Sequence, residues 1–107
     1  MTNFNDRERA EEAKFAHDGE MHFRITARRN RLLGQWAAEK MGLSAVEAES
    51  YAKAVVQADF EESGDEDVIR KLLGDLVSAG VDISDADVRA ALDAKAVEAK
   101  RALMGEA

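Results

Sequence analysis

The stretch M-G-L-S-A-V-E (41–47) decides the fold. Gly42 ends the helical pattern before it. Ser44, followed three residues later by Glu47, is a capping box in which each side chain satisfies a free backbone N–H of the other's turn. One helix therefore stops and another starts within a few residues, so the chain turns back on itself. Two more breaks of this kind follow. Ser63-Gly64 precedes Asp65, Glu66 and Asp67, which place acid on the positive end of a helix. Gly80 stands where a left-handed C-terminal cap is needed, and Ser84 with Asp85 and Asp87 opens the last helix.

Between the breaks Ala, Glu, Lys, Leu, Arg and Gln dominate, no Pro interrupts the 107 residues, and no alternating run of β-branched residues appears. Ile69, Leu72, Leu73 and Leu76 recur at i, i+3, i+4, i+7, as do Ala48, Tyr51, Ala52 and Val55. Val88, Ala91, Leu92, Ala99 and Leu103 form a weaker stripe, and Phe23, Leu32, Leu33, Trp36 and Met41 supply the bulk of the first helix. The expected fold class is all-α, a small four-helix bundle. Its core is thin, because 20 of the 49 hydrophobic residues are Ala, and Leu, Ile, Val and Phe together number only 23.

The first helix is too long for its partners. The pattern from Asp6 to Met41 covers 36 residues, about 54 Å of helix, whereas Ser44 to Phe60 covers 17, about 25 Å. Folding back from Gly42, the second helix reaches only to about Arg24. Residues 1–18 are therefore expected to form a protruding N-terminal arm, mobile when free, with the bundle occupying 19–107. Within the arm, D-R-E-R-A-E-E-A-K (6–14) is a helix-former with Asp6–Arg9, Glu11–Lys14 and Arg7–Glu11 pairs, each worth about 0.2–0.5 kcal/mol. Such pairs do not hold so short a helix in isolation. Phe4 and Phe15 flank the charged stretch with nothing intramolecular to bury them. The arm is either a frayed, solvated terminus or a segment that becomes helical on docking to another protein.

Composition excludes much else. Without Cys there is no disulfide framework, zinc-thiolate site or thiol catalysis. Apolar runs are too short for a membrane span, the N-terminus lacks the apolar segment of a secretory signal, and a net charge of −7 argues against general nucleic-acid binding. A cytoplasmic protein is expected. Residues 21–42 carry a net +4 and residues 43–67 a net −7. Arg24, Arg28 and Arg31 share one face, with Arg29 beside them. In a hairpin turning at Gly42, Arg24 and Arg28 come opposite Asp59, Glu61 and Glu62, so these arginines serve either internal ion pairs or a contact with a phosphate, a nucleotide or an acidic protein. His17 and His22 are five apart and cannot share a helix face, so no metal site is expected. Asp82 to Asp87 lacks the glycine and closing Glu of a calcium loop and is better explained as a capped helix start. No Gly-rich phosphate loop, nucleophile elbow or HExxH occurs. No catalytic residue and no cofactor is expected, and the chain is not read as an enzyme.

Taken together, Phe4 and the runs D-R-E-R-A-E-E-A-K-F-A-H-D (6–18), A-R-R-N-R-L-L-G-Q-W-A-A (27–38) and A-D-F-E-E-S-G-D-E-D-V (58–68) resemble the zeta subunit of alphaproteobacterial F-type ATP synthases, an ATPase inhibitor family. Gly19 and Ser63 depart from the family pattern. The resemblance implies a four-helix subunit, monomeric when free and peripherally associated with the membrane-bound enzyme. Its N-terminal region enters a catalytic interface of the ATP synthase head, formed by the α and β subunits and approaching γ, becomes helical there and blocks hydrolysis. The residues carried over are Phe4, Asp6, Arg7, Glu8, Arg9, Glu11, Glu12, Lys14 and Phe15. The competing expectation is a small bundle that binds a nucleotide phosphate through Arg24, Arg28, Arg29 and Arg31.

Overall fold

A computed structural model describes the backbone of residues 3–61 and 64–105 and the side chains of residues 19–59 and 64–105. Four helices follow in order: α1 (Asn3–Lys40), α2 (Ala45–Glu61), α3 (Asp65–Ser78) and α4 (Asp85–Leu103). Helix α1 is the spine. Helices α2 and α4 pack along it, and α3 bridges α2 and α4 while touching α1 only lightly.

The turns are built from the residues the sequence singled out. At Gly42 (φ 74°) the N–H of Leu43 donates to the Ala38 carbonyl at 3.0 Å and that of Gly42 to Glu39 at 3.1 Å. Gly80 (φ 83°) repeats the arrangement, with Val81 N–H on Leu76 and Gly80 N–H on Val77, both at 3.0 Å. Each is a Schellman closure, which requires the left-handed backbone that glycine adopts without strain. The capping box expected at Ser44 is present, and Ser84 forms a second one with Asp87. Ser44 and Glu47 exchange bonds of 3.2 and 3.0 Å, and Ser84 and Asp87 of 3.2 and 3.1 Å. Helix α3 starts differently: its N-cap, Gly64, supplies no side-chain bond, and the acids of the first turn are engaged elsewhere.

The core is a cluster of Leu33, Ala37, Val55, Val68, Ile69, Leu72, Leu76, Val88 and Leu92. The aliphatic residues of α3 thus supply more of the interior than those of α1. Trp36, Met41 and Leu73 are half-buried at its edge. Phe23, expected in the core, is 51% exposed, because it lies beside the last residues of α2, where α1 runs out of partner surface. Small residues bring the helices close. Ala37, Ala38, Ala52 and Ala99 are fully buried, and a Cβ built on Gly34 would lie 2.8 Å from the Cα of Ala52.

Helix α1 has 38 residues, about 57 Å, and the molecule measures 66 × 30 × 25 Å. Its radius of gyration is 17.5 Å, against about 13 Å for a compact chain of this size. The spine therefore projects well beyond the bundle.

Gly74, in the middle of α3, has open space where a Cβ would sit. Gly74→Ala is expected to stabilise the protein by about 0.5–1 kcal/mol through helix propensity alone. Thermal unfolding checks it: a lower Tm would mean that α3 meets a neighbour there.

Candidate functional site

The bundle end of the projecting helix holds the arginines. Arg24 pairs with Glu20 at 2.7 Å, and Arg31 reaches across to Glu49 on α2 at 2.9 and 3.2 Å. Both pairs are exposed. Arg28 and Arg31 line an open groove of about 450 Å³ between α1 and α2, together with Lys53, Ala27, Val56 and Gln57.

Arg29 behaves differently, because one residue turns a helix by about 100° and so carries it inward. It is 8% exposed. Its guanidinium forks onto the side-chain oxygen of Asn30 at 3.1 and 2.9 Å and onto Asp65 at the start of α3 at 3.0 Å. Asn30, itself 1% exposed, donates to Asp59 near the end of α2 at 2.9 Å. Two buried side chains, Arg29 and Asn30, thus fasten α1 to the junction between α2 and α3.

The four arginines expected to hold a nucleotide phosphate are therefore not brought together. Arg24, Arg28 and Arg31 face solvent, whereas Arg29 is committed to the interior. Internal pairing occurs, but with partners other than those the hairpin suggested: Glu20, Glu49 and Asp65 take Arg24, Arg31 and Arg29, and Asp59 accepts from Asn30. The side chains of Glu61 and Glu62 lie outside the described residues. So do those of the arm positions Phe4, Asp6, Arg7, Glu8, Arg9, Glu11, Glu12, Lys14 and Phe15, and those of His17 and Asp18.

Asn30 was missed in the sequence, although a signal exists: it sits three residues before Leu33, inside the apolar stripe, where an unpartnered amide is costly. Two further clamps hold α3. Arg89 of α4 grips Glu66 at 2.8 and 2.7 Å and also donates to Asp85. Tyr51 of α2 donates to Asp75 at 2.7 Å, and Lys71 reaches the same carboxylate at 3.1 Å. Burial, reinforced by Asp75, pushes the Tyr51 phenol far up, so it stays a neutral donor.

Hydrogen bonds depress three exposed carboxyls: those from Ser44 lower Glu47, those from Ser84 lower Asp87, and that from Arg89 lowers Glu66. Groups depressed on folding contribute stability above their unfolded pKa, near 4.5 for Glu and 3.8 for Asp, and lose it as pH falls through the folded value. The Tm is therefore expected to hold from neutral pH to about pH 5 and to fall below it. Glu66→Gln with Asp87→Asn should flatten that acid limb. An unchanged slope would show that these bonds do not contribute.

The displaced carboxyls sit at caps and in surface ion pairs and do not face each other across a cleft, which is the arrangement of a scaffold. Among the described residues no group of three or more His, Cys, Asp or Glu is placed to hold a metal ion, and no helix is long and apolar enough to cross a membrane. What the geometry offers is a projecting helix, a row of cations at its base and a clamped bundle behind it.

Over residues 1–102 the chain matches the model of the family described as ATPase inhibitor subunit zeta. It is also similar to a protein with a solution NMR structure, at 49% identity and a TM-score of 0.70, over 81% of this chain and 99% of that one. No match is found among curated proteins.

Proposed function

The chain belongs to the ATPase inhibitor subunit zeta family, and from that premise we propose how it acts as an inhibitor of ATP synthase. Residues 1–18 are the inhibitory arm and residues 19–107 the bundle that carries it. The arm inserts as a helix into a catalytic interface between the α and β subunits of the F-type ATP synthase head and blocks rotation in the hydrolytic direction. The observation that carries this reading is the length of α1, a single helix of 38 residues on a bundle whose second helix has 17. A helix this much longer than its partner suits docking in a groove on another protein.

Chemically, the arm combines two large apolar anchors, Phe4 and Phe15, with charges of both signs. In a partly dry interface those charges are matched by opposite charge on the partner. Arg7→Glu with Arg9→Glu is expected to weaken inhibition about 30-fold, or about 2 kcal/mol, because each reversed charge then faces like charge. Reversing Asp93 and Glu98 on exposed positions of α4 should change little. ATP hydrolysis by a cognate ATP synthase head, titrated with the intact chain and these variants, tests the reading. Absence of inhibition by the intact chain overturns it.

A further inference from the structure

Beyond the arm, we infer that the cationic row at its base is a second docking surface, which engages an acidic surface of the same partner beside the interface the arm enters. This rests on the inhibitor reading and adds a contact to it. Arg24, Arg28 and Arg31 recur at i, i+4, i+7 and so form one row along α1, about 10 Å long. Lys53 faces the same groove from α2, and Ala27 and Val56 give it an apolar floor. Gln35, four residues beyond Arg31, continues the lining beside Arg28 and Arg31.

Three observations favour an acidic protein surface over a single phosphate. The donors are spread along a helix and do not converge on a point, and Arg29, the fourth guanidinium, is turned away to pair with Asp65. The backbone N–H groups in the middle of α1 are already used within the helix, so the groove lacks the main-chain donors from which phosphate cradles are built. The ion pairs now holding Arg24 and Arg31 are exposed on both sides, and exposed pairs are weak enough to exchange for a partner's carboxylates. Arg28 is exposed and pairs with no carboxylate among the described residues.

Charge gives the row a purpose. The chain carries −7 overall, so an acidic partner repels most of its surface. A row of cations along the axis of the projecting helix, close to where it leaves the bundle, instead draws the arm's end of the molecule toward acid. The row acts chiefly on the rate of association, as charges at an interface rim do.

The test uses the full chain, labelled on an exposed residue of α4, and an isolated ATP synthase head. Association is followed by fluorescence and inhibition by ATP hydrolysis in parallel, at low and at high ionic strength. Arg28→Glu with Lys53→Glu should slow association about 10-fold at low salt. The rates of the two proteins should converge at high salt, with dissociation little changed. Arg28→Gln with Lys53→Gln should fall between, and circular dichroism confirms intact helices. An association rate unchanged by the reversal overturns the second surface while leaving the arm's role standing. Binding without inhibition overturns the inhibitor reading but leaves the row to be judged by its own rates. If the reversed protein associates normally while ATP or ADP shifts the amides of residues 27–31 and 53 in the intact chain, the groove is a phosphate site and the inference fails.

Discussion

Ala13→Pro is expected to lower the inhibition of ATP hydrolysis by about 100-fold while leaving the bundle intact. Within α1 the N–H of residue 13 donates to the carbonyl of Arg9, four residues back. A proline there removes that bond and drives its ring into the same carbonyl, costing about 3 kcal/mol, which is about a factor of 100 in affinity. The loss falls on the arm alone, because position 13 lies well before the first residues that α2 covers. Removing residues 1–18 should abolish inhibition outright, with the helical signal of the bundle and its Tm retained. Full potency in the proline variant would show that no continuous helix enters the enzyme. A bundle that unfolds with either change would show that the arm is part of its own domain's stability.

The second large effect is on stability, at Gly34. Replacing an interior helical glycine by alanine ordinarily gains about 1 kcal/mol of propensity. Here the added Cβ meets backbone, the Cα of Ala52 at 2.8 Å, with Val55 Cγ2 at 3.2 Å and Ala52 Cβ at 3.4 Å. No rotamer change relieves a contact with backbone, so α1 and α2 must separate, and the core is sealed between them. Gly34→Ala is expected to destabilise by about 1–2 kcal/mol despite its propensity. Gly34→Val should cost about 3 kcal/mol or more, lowering Tm by more than about 12 °C in a domain of this size. Against a total stability of about 5–15 kcal/mol, that is a large share of what holds the bundle. A Tm unchanged by valine would mean that the two helices do not approach as closely as Gly34 and Ala52 indicate.

These residues show what the sequence reveals and what it hides. Breaks are local, so Gly42, Gly80, the capping box at Ser44 and the acid-rich helix start at Ser84 are legible from a few neighbouring letters. The aliphatic spacing of α3 is legible for the same reason. Packing is not local. Gly34 reads as an ordinary weak helix position until α2 lies across it, and its closeness to Ala52 is a property of two helices. Arg29 and Arg28 are adjacent letters of one type, yet one is buried against Asn30 and pairs with Asp65 at the start of α3, and the other faces solvent. Their separation depends on where the start of α3 falls, which follows from the α2–α3 junction. Phe23 misleads in the opposite sense, since its size argues for the core while its place beside the last residues of α2 leaves it half exposed. The row formed by Arg24, Arg28 and Arg31 was visible from spacing, but Lys53 joins it only through the pairing of α1 with α2.

The unbroken course of α1 from Asn3 to Lys40 makes the number of residues between arm and bundle an angular setting. Each residue turns the helix by about 100° and advances it by about 1.5 Å. One residue inserted near Gly19 would thus swing the faces of the arm by more than a quarter turn relative to the arginine row, with almost no change in reach. Seven inserted residues would bring the faces back nearly into phase, at a cost of about 10 Å in length. On the proposed reading, two surfaces carried on one helix must meet their counterparts in step, which makes the spacing of this segment matter more than its individual side chains.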